Sequence, residues 1–337
     1  MKKPLIIIPM GDPAGIGPEI VIKTIADDSV RDVANCLVVG DLQVLKLATA
    51  YPGSPHIALR VVENPEGCDW SETDTLYLMD LANVDVDAFS PGIISGMCGR
   101  ASFEYIERSA KLAMDGLADA VATPPINKES FNAGGIPYIG HTEAYAALSG
   151  TPDPLTLFQT YALRIFFLTR HIPLSKVSES ITFDRLVDYG RRCTAALRRL
   201  GVKDGVMAVA GLNPHSGEHG LFGDEEDRVI RPAIEALRIE GYDVVGPVGA
   251  DSVFSLALKG YYNSVLSLYH DQGHIAAKTL DFDRTVSITA GMPFLRTSVD
   301  HGTAFDIAGR GIADKTSLCE AVRLAAHYAP AYREGAG

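Results

Sequence analysis

The chain has 337 residues, 47% of them hydrophobic and 32 of them glycine, which suits a globular protein of about two domains. Its net charge of −12 argues against a general nucleic-acid surface, so any anionic ligand has to meet a local cluster of Lys, Arg and His. The five cysteines (36, 68, 98, 193 and 319) are scattered and form no CxxC pair, which predicts reduced thiols and a cytoplasmic protein.

The N-terminus, MKKPLIIIPMGDP, is basic and then apolar. The apolar run is too short for a membrane span, and Gly-Asp-Pro replaces the small residues of a signal cleavage site. PLIIIPM (4–10) is therefore expected to be a first strand, with no membrane partner. A helix is predicted over 18–26, and strands at CLVVG (36–40) and LYLMD (76–80). From 98 to 117 the pattern is helical: Phe103, Ile106, Ala110, Ala113 and Leu117 fall roughly on one face. ADAVATPPI (118–126) reads as a strand ending in Pro-Pro. Further strands are expected at LRIFFL (163–168), VMAVAGL (206–212) and SVLSLY (264–269), and a last amphipathic helix at SLCEAVRLAAHYA (317–329). This alternation predicts an α/β fold with a largely parallel sheet. The lack of a linker suggests domains that share a broad interface or exchange chain segments.

Three of the nine histidines follow strand-like runs: His171 in TRHIPL, His215 in LNPHSGE and His270 in SLYHDQG. Polar residues at the ends of buried strands point into the crevice where α/β proteins do chemistry. Three imidazoles there could hold one divalent metal with a position left open for substrate. The alternative is three unrelated histidines, since no short ligand motif links them. His215 and His219, and likewise His270 and His274, are four apart. Both stretches contain Gly and turn formers, so neither is expected to be helical, and one histidine of each pair is favoured as a ligand.

GDPAGIGPEI (11–20) follows a strand and opens a helix. Gly11, Gly15 and Gly17 would let backbone N–H groups approach an anion at a helix N-terminus; a tight strand-to-helix turn explains them equally well. In YIGHTEAYAAL (138–148), Thr142 reads as an N-cap and His141 as a donor to phosphate or carboxylate. Lys278 and Arg296 bracket a segment expected to hold an anion, Arg through its fork and Lys as a point charge. RTSVDHGTAFDIAGRGIAD (296–314) is a long polar loop, and such loops are often functional.

In this order and spacing, GDPAGIGPEI, GHTE, LNPHSGE, YHDQG and RTSVDHGTAFDIAGRG resemble the 4-hydroxythreonine-4-phosphate dehydrogenase family of vitamin B6 synthesis, over nearly the whole chain. The first and last blocks are more distantly similar to isopropylmalate and isocitrate dehydrogenases. The resemblance implies two α/β/α domains with a cleft between them, the first over 1–130 plus 305–337 and the second over 131–304. It implies a homodimer with shared active sites, and a divalent metal (Zn, Co, Ni, Mn or Mg) on His171, His215 and His270. It also implies substrate contacts from His141, Thr142, Lys278 and Arg296. NAD would lie beside Gly15, Gly17, His301 and Gly302.

The chain departs from the biosynthetic enzymes after His270. Ser287 stands where they place a substrate-contacting Asn, His274 replaces an apolar residue, and Asp281 and Asp283 enter the next loop. One changed polar contact can shift preference, because an unpaired buried polar group costs about 1–3 kcal/mol. The pattern resembles the branch that oxidises 4-phospho-D-threonate or 4-phospho-D-erythronate at C3, with NAD, and decarboxylates the product to dihydroxyacetone phosphate. Two alternatives are 4-hydroxy-L-threonine-4-phosphate oxidation and a non-redox metal-dependent lyase or binding protein on the same fold. For the general base, Asp251 is preferred over Lys128 and Asp271.

Overall fold

The computed structural model describes residues 3–335, so Met1 and Lys2 of the basic start, and Ala336 and Gly337, lie outside the described residues. The chain divides into two compact units. Unit 1 runs to Pro154 and resumes at Gly291, and unit 2 is Leu155–Ala290.

Unit 1 opens with β1 (Leu5–Pro9), α1 (Gly17–Ile25) and α2 (Asp28–Arg31), then β2 (Asn35–Gly40) and α3 (Leu42–Thr49). It continues through β3 (Ala58–Val61), β4 (Thr75–Asp80), α4 (Gly96–Met114), β5 (Ala120–Thr123), α5 (Lys128–Ala133) and α6 (His141–Ser149). Local chemistry sets several starts. Pro18 and Glu19 suit the first turn of α1, Asp41 accepts the N–H groups of Gln43 and Val44, and Ser95 accepts that of Cys98. The strands β1 and β2 are apolar without alternation, as expected of parallel strands covered on both faces.

Unit 2 contains β6 (Leu155–Thr160), β7 (Leu163–Phe167), α7 (Val177–Ser180), α8 (Phe183–Arg199), β8 (Met207–Ala210) and α9 (Arg231–Ile239). It closes with β9 (Val244–Val248), α10 (Val253–Leu258), β10 (Ser264–Ser267), α11 (His270–Leu280) and β11 (Val286–Ala290). The chain then re-enters unit 1 as β12 (Leu295–Val299) and α12 (Thr316–Glu334).

In unit 1 the strand order is β3-β4-β2-β1-β5-β12, with every pairing parallel. In unit 2 it is β11-β6-β7-β10-β8-β9. There β7, β10, β8 and β9 run parallel, while β6 is antiparallel to both β7 and β11. The protein is thus α/β with a largely parallel sheet. The segments 131–154 and 291–304, expected in the second domain, belong to unit 1. Their packing explains why: Phe131, Tyr145, Met292 and Phe294 share one apolar cluster with Ile106, Ala110 and Val121. The core of unit 2 gathers Phe158, Ile165, Phe167, Ala208 and Val265. Among the described residues, no helix is long and apolar enough to cross a membrane.

Candidate active site

In unit 1 the structure brings together His141, Thr142 and Arg296. Gly140, in an extended conformation, occupies the N-cap of α6, so Thr142 is not the cap expected from the sequence. Its hydroxyl is instead engaged by Arg296, whose Nη1 donates to Thr142 Oγ1 at 3.4 Å. Arg296 Nη2 donates to Thr123 Oγ1 at 3.0 Å, and the guanidinium carbon lies 5.2 Å from the Tyr145 ring centre. Tyr145 is tied to Ser109 at 2.6 Å and stacks on His141 at 6.2 Å. Burial lowers the Arg296 pKa to about 10, opposed by Tyr145 and Glu143, so the guanidinium stays charged at neutral pH. Burial first, and then Arg296, holds His141 well below the usual histidine range, so it is neutral. Its Nε2 is closed off from solvent without a hydrogen-bond partner among the described residues. A buried cation beside the positive end of a helix is suited to an anion.

Thr123 and Tyr145 were not singled out by the sequence. Thr123 ends β5 beside β12, and only the parallel pairing of those strands places it under Arg296. Lys128 opens α5, and its Cε lies 4.0 Å from where a Cβ on Gly140 would stand.

The glycine loop has a different role from the anion cradle considered above. Asp12 N–H donates to Pro125 O, Gly15 N–H to Asp12 O and Ile16 N–H to Thr303 O. Ala14 N–H donates to the Asp12 carboxylate at 2.9 Å. These groups are spent within the chain. A Cβ on Gly15 would stand 2.9 Å from Thr303 Cβ, and one on Gly17 2.4 Å from Met10 O. Close packing therefore accounts for Gly15 and Gly17, and the loop meets Thr303. His301 Nδ1 contacts Gly302 O at 2.9 Å, and a Cβ on Gly302 would face open space. A cofactor on this side would be met by 301–302 rather than by the buried glycines. Asp12 itself is fully buried, its Oδ2 has no partner among the described residues, and burial raises its pKa to about 6.

In unit 2 the three histidines follow β7, β8 and β10, and the parallel pairing of β10 with both neighbours puts all three strand ends on one edge. The rings of His171 and His270 are 5.9 Å apart. Two imidazoles on one tetrahedral zinc, each bonded at about 2.1 Å, would have ring centres about 5 Å apart, so this pair fits a divalent metal in donor type and spacing. Arg170, His171, Tyr269, His270 and Asp271 line a hollow of about 270 Å3 there. His215 does not join them. It begins a turn in which His215 through His219 all have positive φ, and its ring lies near Phe222. Among the described residues no three His, Cys, Asp or Glu side chains converge as a metal site.

The stretch 270–274, expected to be irregular, is the first turn of α11, so His270, His274 and Lys278 share one helix face. His270 Nδ1 contacts the Asp271 carboxylate at 2.6 Å. His274 is depressed to about 3, chiefly by burial and then by His270, Lys278 and His171. Lys278 Nζ lies 4.9 Å from the Phe282 ring centre, and Ser287 sits opposite Phe158 in the β11–β6 pairing. Asp251 is exposed in the turn before α10.

Two further residues organise this edge. Gln272 is buried and donates to Gly211 O at 2.8 Å while accepting from Leu268 N at 2.7 Å. It ties the start of α11 to the ends of β8 and β10. Glu226, 1% exposed, accepts from Leu212 N, Asn213 N and Asn213 Nδ2 at 2.7–2.8 Å, which anchors the His215 turn. Glu226 lies outside every motif read from the sequence.

The sequence profile described as pyridoxal phosphate biosynthetic protein PdxA matches residues 32–325. The chain belongs to the PdxA family. Among PdxA-family relatives, a Clostridium botulinum (strain Hall) protein is 55% identical over 334 residues, covering 99% of both chains. It is named "Putative D-threonate 4-phosphate dehydrogenase". A Fusobacterium nucleatum protein of the same name is 56% identical over 328 residues, covering 97% of this chain and 98% of its own. The crystal structure of 4-hydroxythreonine-4-phosphate dehydrogenase from Klebsiella pneumoniae superposes with a TM-score of 0.90 at 41% identity, covering 97% of this chain and 98% of that one.

Proposed function

We propose that this PdxA-family protein is a dehydrogenase that oxidises the C3 hydroxyl of a 4-phosphorylated four-carbon hydroxy acid, 4-phospho-D-threonate or its erythronate isomer. The observation that carries the substrate class is the buried Arg296 held against Thr142 beside neutral His141 at the start of α6. The 55% identity to relatives named for D-threonate 4-phosphate supports the sugar acid.

Arg296 and the α6 N-terminus take one anionic group of the substrate, and Thr142 fixes its orientation. His141, uncharged, donates one hydrogen bond without adding a second cation. Asp251 is the group proposed to accept the C3 hydroxyl proton; Lys128, beside the start of α6, is the alternative, and Asp271 is engaged with His270. Lys278 and Ser287 are the further substrate contacts proposed from unit 2. A divalent metal on His171 and His270, with His215 as third ligand from this chain or a second copy, would supply Lewis-acid charge beside the reacting oxygens. NAD, met by His301 and Gly302, would supply the hydride acceptor. The resulting 3-oxo acid loses carbon dioxide, and the carbon left behind gains a proton to give dihydroxyacetone phosphate.

The test is NADH formation with added Zn, Co or Mn on 4-phospho-D-threonate, 4-phospho-D-erythronate and 4-hydroxy-L-threonine phosphate. Preference for the amine-free acids with release of dihydroxyacetone phosphate is expected. Preference for the amino compound would favour the reaction named for the Klebsiella enzyme; no NADH with any of them would favour a lyase or binding role.

A further inference from the structure

His270 is the first residue of α11, and its side chain is 38% exposed. A ring so placed can turn about two torsions unless something holds it. Asp271 fixes one nitrogen. The face of the ring lies against His274, with centres 3.7 Å apart and planes 15° apart. His274 is itself confined: Phe158 is 4.3 Å and Phe167 4.8 Å from it, and these two rings meet edge to face at 5.1 Å. The box is built from adjacent strands, β6 and β7, and α11 is let in close by Gly273, where a Cβ would stand 2.5 Å from Phe167 Cε1. Phe158 also lies opposite Ser287, so the box adjoins a proposed substrate contact.

We propose that His274 is a positioning residue: boxed by Phe158 and Phe167, it holds the His270 ring in one orientation before any ligand arrives. Its consequence for metal affinity rests on the metal assignment above; the positioning itself does not. A flat aromatic surface at 274 is what the geometry requires, and an aliphatic side chain there would fill the box without presenting a ring face.

The experiment uses the full-length, metal-free protein and the variants H274L and H274F, with H270A as reference. Leu retains most of the buried volume, so H274L is expected to fold. In the unmodified protein the His270 Cε1–H proton signal should be shifted upfield by the neighbouring ring. In H274L that shift should vanish and the signal broaden; in H274F it should return. Zinc affinity, read by competition with a chromophoric chelator, should fall about tenfold in H274L, as for residues that orient metal ligands, and recover to within a few-fold in H274F. An unshifted His270 signal in the unmodified protein, an unchanged signal in H274L, or no recovery in H274F would overturn the proposal. Unchanged zinc affinity in H270A would instead overturn the metal assignment, while the proton signal still decides the role of His274.

Discussion

Arg296 Nη2 donates to Thr123 Oγ1 at 3.0 Å across the parallel pairing of β12 and β5. One fork of the guanidinium is thereby fixed, and the other reaches Thr142 on α6. The arginine is aimed by the sheet rather than by its own torsions, which is the condition for a bidentate grip on an anion.

R296K keeps the charge and loses the fork. Hydrogen bonds to a charged group are worth about 1.5–3 kcal/mol, so KM for the phosphorylated acid should rise by about tenfold to a hundredfold. Steady-state kinetics checks this. An unchanged KM would remove Arg296 from the substrate site.

Asp12 should make the stability of the protein depend on pH. Burial raises its pKa from 3.8 to about 6. The folded state therefore binds more protons between these values, and the contribution is fully present below the unfolded pKa and lost as pH rises through 6. D12N can still accept the Ala14 N–H and carries no charge. It should be more stable than the unmodified protein at neutral pH by about 1–3 kcal/mol, with the difference gone below about pH 4. Urea denaturation across this range measures it; a constant difference would mean that the Asp12 pKa is the same in the folded and unfolded states.

The strand ends that carry His171, His215 and His270 were legible in the sequence because each of these histidines follows an apolar run long enough to be a strand. His171, His215 and His270 could be placed on one edge of a parallel sheet for that reason. Two kinds of feature were not legible. Tertiary partners such as Thr123, Tyr145 and Glu226 carry no local signal, since pairing of distant segments brings them to their sites. The backbone of 270–274 was also hidden. Gly and polar residues occur in both histidine stretches, and 215–219 is the irregular turn they suggest, yet 270–274 is a regular helix whose glycine is packed on Phe167.

The left-handed turn at His215 should depend on Glu226. Positive φ at His215, Ser216, Glu218 and His219 is unfavourable for residues with a Cβ, at about 1 kcal/mol or more each. The Glu226 carboxylate offsets this by accepting three N–H donors from Leu212 and Asn213. E226A would leave those donors without the carboxylate and should cost about 3 kcal/mol. Hydrogen exchange over 212–223 should accelerate in the variant, while exchange in the core of unit 1 stays unchanged. Uniform acceleration would point to global destabilisation instead.

Gly273 offers a test with an inverted sign. Gly to Ala within a helix ordinarily stabilises by about 1 kcal/mol. Here the new methyl would stand 2.5 Å from Phe167 Cε1 and 2.9 Å from Ile165 Cγ2. Either α11 lifts from β7 or Phe167 leaves its place beside His274, and overpacking of this kind costs about 1–3 kcal/mol. G273A should therefore lower the melting temperature, and the double variant G273A/F167L, with the ring edge removed, should recover part of the loss. If G273A is more stable than the unmodified protein, α11 is not held against β7 as the structure has it, and the box around His274 goes with it.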